Sequence, residues 1–225
     1  TLEEAKKIKE VSGLEVEMFI HGAQCMAYSG QCTISNFTQG RDSNRGGCAH
    51  SCRFLYKMES DQGDKKISSL DYFMSSKDLM GVDLLCEYVE AGIDSIKVEG
   101  RMKGHQYVGL VTKVYREALN QYALGVEDYI RLTPQLIDQL KLLSHRDYTS
   151  GNLIQSAGEE SIFNKREGED CDSFVGGVVL EVVEDSHFMV NVLHAMTKND
   201  LLEVIPFKGP NIKLENISLT NVFEE

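Results

Sequence analysis

Four of the six cysteines in this 225-residue chain, Cys25, Cys32, Cys48 and Cys52, fall within 28 positions in the pattern C-x6-C-x15-C-x3-C. The segment that carries them, from about His21 to Cys52, is rich in Gly, Ser and Asn and reads as a loop, and loops of this length in compact domains are usually functional. The start, Thr1-Leu2-Glu3-Glu4, has neither a basic n-region nor an apolar h-region, which predicts a cytoplasmic protein with reduced thiols and argues against a disulfide framework. Two metal readings stay open on spacing alone. Four thiolates suit tetrahedral zinc, although only Cys48 and Cys52 have the close spacing usual for its ligand pairs. An iron–sulfur cluster accepts wider and less regular spacings, and Gly22, Gly30, Gly40, Gly46 and Gly47 let the backbone bend around such an object and point N–H groups at its sulfurs. Cys86 lies on the apolar face of a predicted helix and reads as core. Cys171 reads as a free thiol in an acidic stretch.

The net charge of −12 argues against non-specific nucleic-acid binding, which needs cations to neutralise phosphates. The charge is uneven, however. Between Arg41 and Lys57 four cations (Arg41, Arg45, Arg53, Lys57) face one acid, Asp42, and between Glu159 and Asp172 six acids face two bases. The basic stretch coincides with the cysteines, and the acidic one reads as a linker. No apolar run approaches the roughly 20 residues that span a bilayer, so no membrane partner is expected.

Periodicity predicts a helix over 1–12, with a Thr1/Glu4 capping box and Gly13 at its end, then a strand LEVEMFI at 14–20 with Leu14, Val16, Met18 and Ile20 on one face. A helix is expected from Lys77 to Ala91, capped by Ser75 or Asp78. A strand follows at 94–100, then a helix at 105–123, and another that starts at Thr133-Pro134 and reaches about Leu143. Alternation of this kind is the grammar of a parallel α/β unit. Short strands at 174–183, 187–193, 200–205 and 212–222 read as a small all-β barrel. The expected organisation is an α/β unit over 1–150, an acidic linker over 151–173 and a small β-barrel over 174–225.

The stretch Glu17-Met18-Phe19-Ile20-His21-Gly22-Ala23-Gln24-Cys25, followed by Gly30-Gln31-Cys32-Thr33-Ile34-Ser35, resembles the signature of peptidase family U32, the collagenase-like protease group. Its pattern is E-x-F-x2-G-[small]-[aliphatic]-C-x4-G-x-C-x-[aliphatic]-S, and Gln24 departs from it. Further matches are Arg41-Asp42-Ser43-Asn44-Arg45-Gly46-Gly47-Cys48, Ser75-Ser76-Lys77-Asp78-Leu79, Ile96-Lys97-Val98-Glu99-Gly100-Arg101-Met102-Lys103 and His145-Arg146-Asp147-Tyr148-Thr149, so the resemblance reaches to about residue 151.

The resemblance implies the C-terminal portion of a TIM-type β/α barrel, with a [4Fe-4S] cluster on Cys25, Cys32, Cys48 and Cys52. The rest of the barrel would come from a preceding N-terminal portion or a partner chain. Despite the peptidase name, the group includes hydroxylation proteins for tRNA wobble uridine, ribosomal RNA cytidine and ubiquinone precursors. The Cys48/Cys52 pair and the short C-terminal region look most like the tRNA 5-hydroxyuridine type, which implies tRNA as partner and prephenate as a small anionic co-substrate. In a barrel of this kind Glu17 and Lys97 would face the lumen as an ion pair, and Arg101 would sit at the catalytic face, where its fork suits a carboxylate or phosphate. His21 and His50 are candidates for tuning the cluster or moving a proton. His145 is assigned no chemistry. Two other functions stand beside the hydroxylase: a peptidase, for which no H-E-x-x-H or G-x-S-x-G motif is present, and a non-catalytic zinc or cluster module.

Overall fold

The computed structural model describes residues 1–62, 65–163, 173–184 and 187–220. Helix α1 (Leu2–Ser12) has the expected capping box, with Thr1 Oγ1 accepting from the Glu4 N–H, and ends at Gly13 in the left-handed conformation. It leads into β1 (Glu17–Ala23), which starts later than the predicted strand and runs three residues further. Leu14 is correspondingly exposed, while Ile20, His21 and Gly22 are buried. The cysteine segment contains a short helix α2 (Ile34–Gln39) and two 3₁₀ turns (Ser43–Arg45 and Ser51–Arg53). It is followed by an antiparallel hairpin of β2 (Tyr56–Gln62) and β3 (Lys65–Asp71).

The predicted helix over 77–91 is corrected at its start. Asp78–Met80 form strand β4, and only a 3₁₀ turn (Val82–Leu84) and helix α3 (Leu85–Glu90) follow it. The N-caps of those two elements are Gly81 and Leu84 rather than Ser75 or Asp78, and Asp78 is buried in an ion pair with Arg146. Strand β5 (Ser95–Val98) and helix α4 (His105–Leu124) form where periodicity places them. Helix α5 (Val126–Lys141) begins seven residues before the expected Thr133-Pro134 start and carries Pro134 inside. The Thr133 hydroxyl donates back to the Tyr129 carbonyl at 2.8 Å, the mid-helix pattern of threonine rather than a cap. Pro134 supplies no N–H to the carbonyl of Ile130, a residue that is itself exposed.

The main sheet has four strands in the order β5-β1-β4-β6, with β6 at Tyr148–Thr149. The β1–β5 and β4–β6 pairs are parallel and β1–β4 is antiparallel. Gly22 sits at φ 109°, and a Cβ there would overlap the Glu99 carbonyl; only glycine lets β1 approach this closely. Ile20, Leu79 and Val82 pack with Leu110, Val111 and Val114 of α4 and Leu136 and Leu140 of α5. Leu153 and Phe163 are also buried, and a bridge joins Ser76 to Ile162, so 151–163 packs on the first unit; residues 164–172 of the expected linker, with Cys171, lie outside the described residues.

In the C-terminal region strands form as expected but pair two by two: β7 (Gly177–Glu184) with β8 (His187–Val192), and β9 (Leu202–Val204) with β10 (Ile212–Leu214). The end of the last predicted strand, from 221, lies outside the described residues. The architecture is mixed α/β with separate sheets, and among the described residues none closes into a barrel. No helix among them is long and apolar enough to cross a membrane.

Candidate functional site

The cysteine segment is held by its own polar network. The Arg53 guanidinium donates to the carbonyls of Gln24, at 3.1 Å, and Ser76, at 3.3 Å, and the Ser76 hydroxyl donates to the same Gln24 oxygen at 2.7 Å. The neighbours of Cys25 and Cys52 are thereby pinned to one another, so the first and last cysteines start from one anchor. The Arg53 guanidinium is thus engaged by the loop itself.

Cys32 is clamped from across the loop. Its N–H donates to Asn44 Oδ1 at 3.3 Å, and its carbonyl accepts from Asn44 Nδ2 at 2.9 Å and the Ser43 hydroxyl at 3.3 Å. Asp42 caps that turn by accepting from the Asn44 N–H at 3.0 Å. Its carbonyl also accepts from the Gly47 N–H at 2.8 Å, and a Cβ on Gly47 would come within 2.7 Å of the same oxygen. Cys48 follows directly. His50 adopts φ 55°, an uncommon conformation for a non-glycine residue, and its N–H points at Cys48 Sγ, 3.4 Å away. Beneath Cys52, buried Ser51 meets the Thr38 hydroxyl at 2.6 Å and its carbonyl accepts from the Tyr56 hydroxyl at 2.8 Å. The Ala49 N–H donates to buried Ser35 at 3.2 Å.

All four thiols are free. Burial pushes the Cys52 thiol up; the Arg53 guanidinium opposes this, while Cys25, Cys48 and Cys32 push it further up. Each of the other three thiols is thus near enough to act on Cys52 electrostatically. Hydrogen bonds from the Ser43 side chain and the Ile34 backbone hold Cys32 below its ordinary value. Among the described residues no three His, Cys, Asp or Glu side chains meet as a ready-made metal-ligand group. The donor chemistry, four free thiols on a glycine-bent loop with an N–H already aimed at one sulfur, fits a thiolate-bound centre.

Beside Cys48 lies a cavity of about 400 Å³ lined by Arg41, Gly46, Cys48, Ala49, His50, Arg101 and Met102. Arg101 is oriented from its own backbone, whose N–H donates to Glu99 Oε1 at 3.0 Å. Burial first, then the Arg53 and Arg101 charges, lower the His50 pKa, so its ring enters the cavity neutral. Two guanidiniums and a neutral imidazole beside a thiol make a pocket for an anion.

The expected Glu17–Lys97 pair forms at 3.3 Å across β1 and β5, with both side chains about half exposed. Lys97 also sits over the Phe19 ring, 4.9 Å from its centroid, and Ser95 Oγ lies 3.1 Å from Glu17 Oε2. An ion pair this exposed contributes about 0–1 kcal/mol. His21 is not at a strand end but inside β1 and fully buried. His145 stacks on Tyr148 with centroids 4.1 Å apart.

Sequence reasoning missed the Asp78–Arg146 pair, in which Arg146 meets Asp78 through its backbone N–H and its guanidinium. It also missed the Asn44 clamp. Both residues stand in quoted motifs, but their partners lie 68 and 12 positions away.

Relatives share this segment. The chain is 34% identical over 229 residues to tRNA hydroxylation protein P1 of Bacillus subtilis, covering 99% of this chain and 53% of that protein. It is 32% identical to the 23S rRNA 5-hydroxycytidine C2501 synthase of Escherichia coli, over 91% of this chain and 31% of that protein. It is 39% identical to a collagenase of Porphyromonas gingivalis W83, over 65% of this chain and 36% of the relative. The chain thus spans about half the length of the first relative, and no solved structure matches it. The model of peptidase family U32 matches residues 1–163, the part that contains the cysteine loop, the main sheet and both long helices, and the chain belongs to that family.

Proposed function

We propose that this chain is the cysteine-loop portion of an iron–sulfur-dependent RNA hydroxylase acting in the cytoplasm. In its most specific form it installs a hydroxyl on the wobble uridine of tRNA with prephenate as co-substrate. The observation that carries the reading is a cavity bearing Arg41, Arg101 and Cys48, on a loop that carries three further free thiols. It is supported by relatives whose names say tRNA hydroxylation and 5-hydroxycytidine synthesis. Because the chain spans about half of the first such protein, further sequence completes a TIM-type barrel around β1 and β5, and the C-terminal strands close into a small barrel in the whole protein.

Cys25, Cys32, Cys48 and Cys52 hold a [4Fe-4S] centre in this reading. Such a centre, when bound, would supply one-electron chemistry. The N–H of His50 stabilises charge on Cys48 Sγ. Arg41 and Arg101 bind and orient the carboxylates of the small co-substrate, and neutral His50 is in a state to accept a proton. Glu17 and Lys97 present a polar pair on the face of β1 and β5, where they bind substrate.

A peptidase is the second reading, favoured by the collagenase relatives and by the lowered pKa of Cys32. It needs Cys32 as a free nucleophile rather than a ligand. A zinc-binding module without catalysis is the third. Nucleoside analysis of tRNA separates them. In a strain lacking the gene, 5-hydroxyuridine-derived nucleosides disappear and return with the wild-type gene but not with Cys52→Ser. Unchanged nucleosides in the deletion strain, or full rescue by Cys52→Ser, overturn the proposal.

A further inference from the structure

The cysteine loop exposes two aromatic rings that packing does not explain. Tyr28 is 88% and Phe37 91% exposed, whereas Tyr88, Tyr107, Tyr115 and Tyr129 are each at most 5% exposed. An aromatic ring left in water gives up the large burial that its kind obtains elsewhere in the same fold. Scattered exposed hydrophobics need no explanation, but these two are placed with arginines. Tyr28 opens the turn whose carbonyl accepts from the Gln31 N–H. That turn leads straight into Cys32, and Cys32 is clamped to Asn44. Arg45 follows Asn44, its side chain 88% exposed and in a solvent-exposed pair with Asp42 at 3.4 Å, a pairing weak enough for a phosphate to replace. Phe37 rides on α2, and the Arg41 N–H folds back to the carbonyl of Ser35 in the same helix at 3.2 Å. Each ring thus stands on backbone that is hydrogen-bonded to, or adjacent to, a stretch carrying an arginine.

Charge selects among occupants. The whole chain is −12, yet Arg41 to Lys57 is net positive, and the uncharged stretch that carries Tyr28 and Phe37 precedes it in the same loop. A duplex offers phosphates but hides its base faces. Unpaired nucleotides offer both a phosphate and a free π-face, which aromatic side chains stack upon.

We infer that Tyr28 and Phe37 are stacking platforms for unpaired bases of a single-stranded RNA loop, with Arg45 on the flanking phosphate. The inference rests on the RNA reading above and deepens it: the substrate class is looped or single-stranded RNA, and the cysteine loop itself holds it. Stacking needs the ring and not the Tyr28 hydroxyl, which has no hydrogen-bond partner among the described residues.

The test is fluorescence anisotropy of the cluster-loaded chain with two labelled probes, an RNA hairpin with a uridine-containing loop and a blunt duplex of the same stem. The wild type binds the hairpin more tightly than the duplex. Tyr28→Ala and Phe37→Ala each weaken hairpin binding by about tenfold, leave duplex binding and the salt slope unchanged, and melt like the wild type. Tyr28→Phe and Phe37→Tyr bind like the wild type. Arg45→Gln lowers the salt slope by about one charge. Unchanged hairpin affinity in both alanine variants, with RNA binding intact, overturns the platforms and leaves the RNA reading standing. A change of oligomeric state in those variants with RNA affinity unchanged assigns the rings to a protein contact and likewise overturns it. No salt-dependent binding of either RNA overturns both.

Discussion

His21 gives the account a quantitative handle on pH. Its side chain is fully buried in β1, among the rings of Tyr107, Tyr115 and Tyr148 at centroid distances of 5.9, 5.5 and 5.5 Å. Nδ1 lies 3.3 Å from the Tyr115 hydroxyl, and Nε2 has no partner among the described residues. Burial, reinforced by the His145 and Lys103 charges, pushes its pKa from 6.5 down to about 3. Between those values the unfolded chain binds a proton that the folded one refuses. Stability from this group is therefore fully present above pH 6.5 and is lost progressively as pH falls toward 3. The whole shift corresponds to about 5 kcal/mol, of which about 2 kcal/mol is lost between pH 7 and pH 5. His21→Phe keeps a ring of similar size and removes the titration. Urea unfolding under reducing conditions at both pH values measures the difference: the wild type loses about 2 kcal/mol more than the variant over this window. Equal losses in the two proteins refute the reasoning, because His21 would then accept its proton without unfolding.

Three further outcomes follow from other parts of the fold. Asp78→Asn leaves Arg146, whose side chain is 12% exposed, without its counter-charge, and lowers stability by about 3 kcal/mol or more in chemical denaturation. Gly22→Ala forces a Cβ into the Glu99 carbonyl and abolishes soluble folded protein, whereas Gly13→Ala, with open space around it, costs only about 1–2 kcal/mol for its left-handed backbone; circular dichroism melts distinguish them. Arg101→Gln removes one guanidinium from the cavity; on the proposed function, calorimetry with prephenate as the probe reads binding about tenfold or more weaker than in the wild type.

Legibility in the sequence tracked how local the determining interactions are. The Thr1/Glu4 box, the alternation in β5 and the helical stripe of α4 rest on neighbours a few residues apart, and each formed as read. Asp78–Leu79–Met80 looked like the first turn of a helix, but β1 and β6 claim it from both sides, a tertiary override of local pattern. Thr133-Pro134 carries a start signal that the helix overrides, running on from Val126 with Pro134 inside. The β2–β3 hairpin was invisible because its strands are mostly polar and carry no apolar alternation. At the site, the cysteines and Arg101 were legible as types and spacings. Arg41's place in the cavity, the Asn44 clamp and the diversion of Arg53 to Gln24 and Ser76 depend on how the loop folds back on itself. The barrel expectation came from resemblance, and the strands of this segment alone do not close.

The most direct measurement is iron and acid-labile sulfide per chain after anaerobic preparation, in the wild type and in Cys25→Ser, Cys32→Ser, Cys48→Ser, Cys52→Ser and, as a control, Cys86→Ser. The account predicts about four irons and four sulfides per chain, retained in Cys86→Ser and lost or sharply reduced in each of the other four variants. A wild-type chain holding stoichiometric zinc without sulfide, or loop variants that keep the full iron and sulfide content, contradicts it.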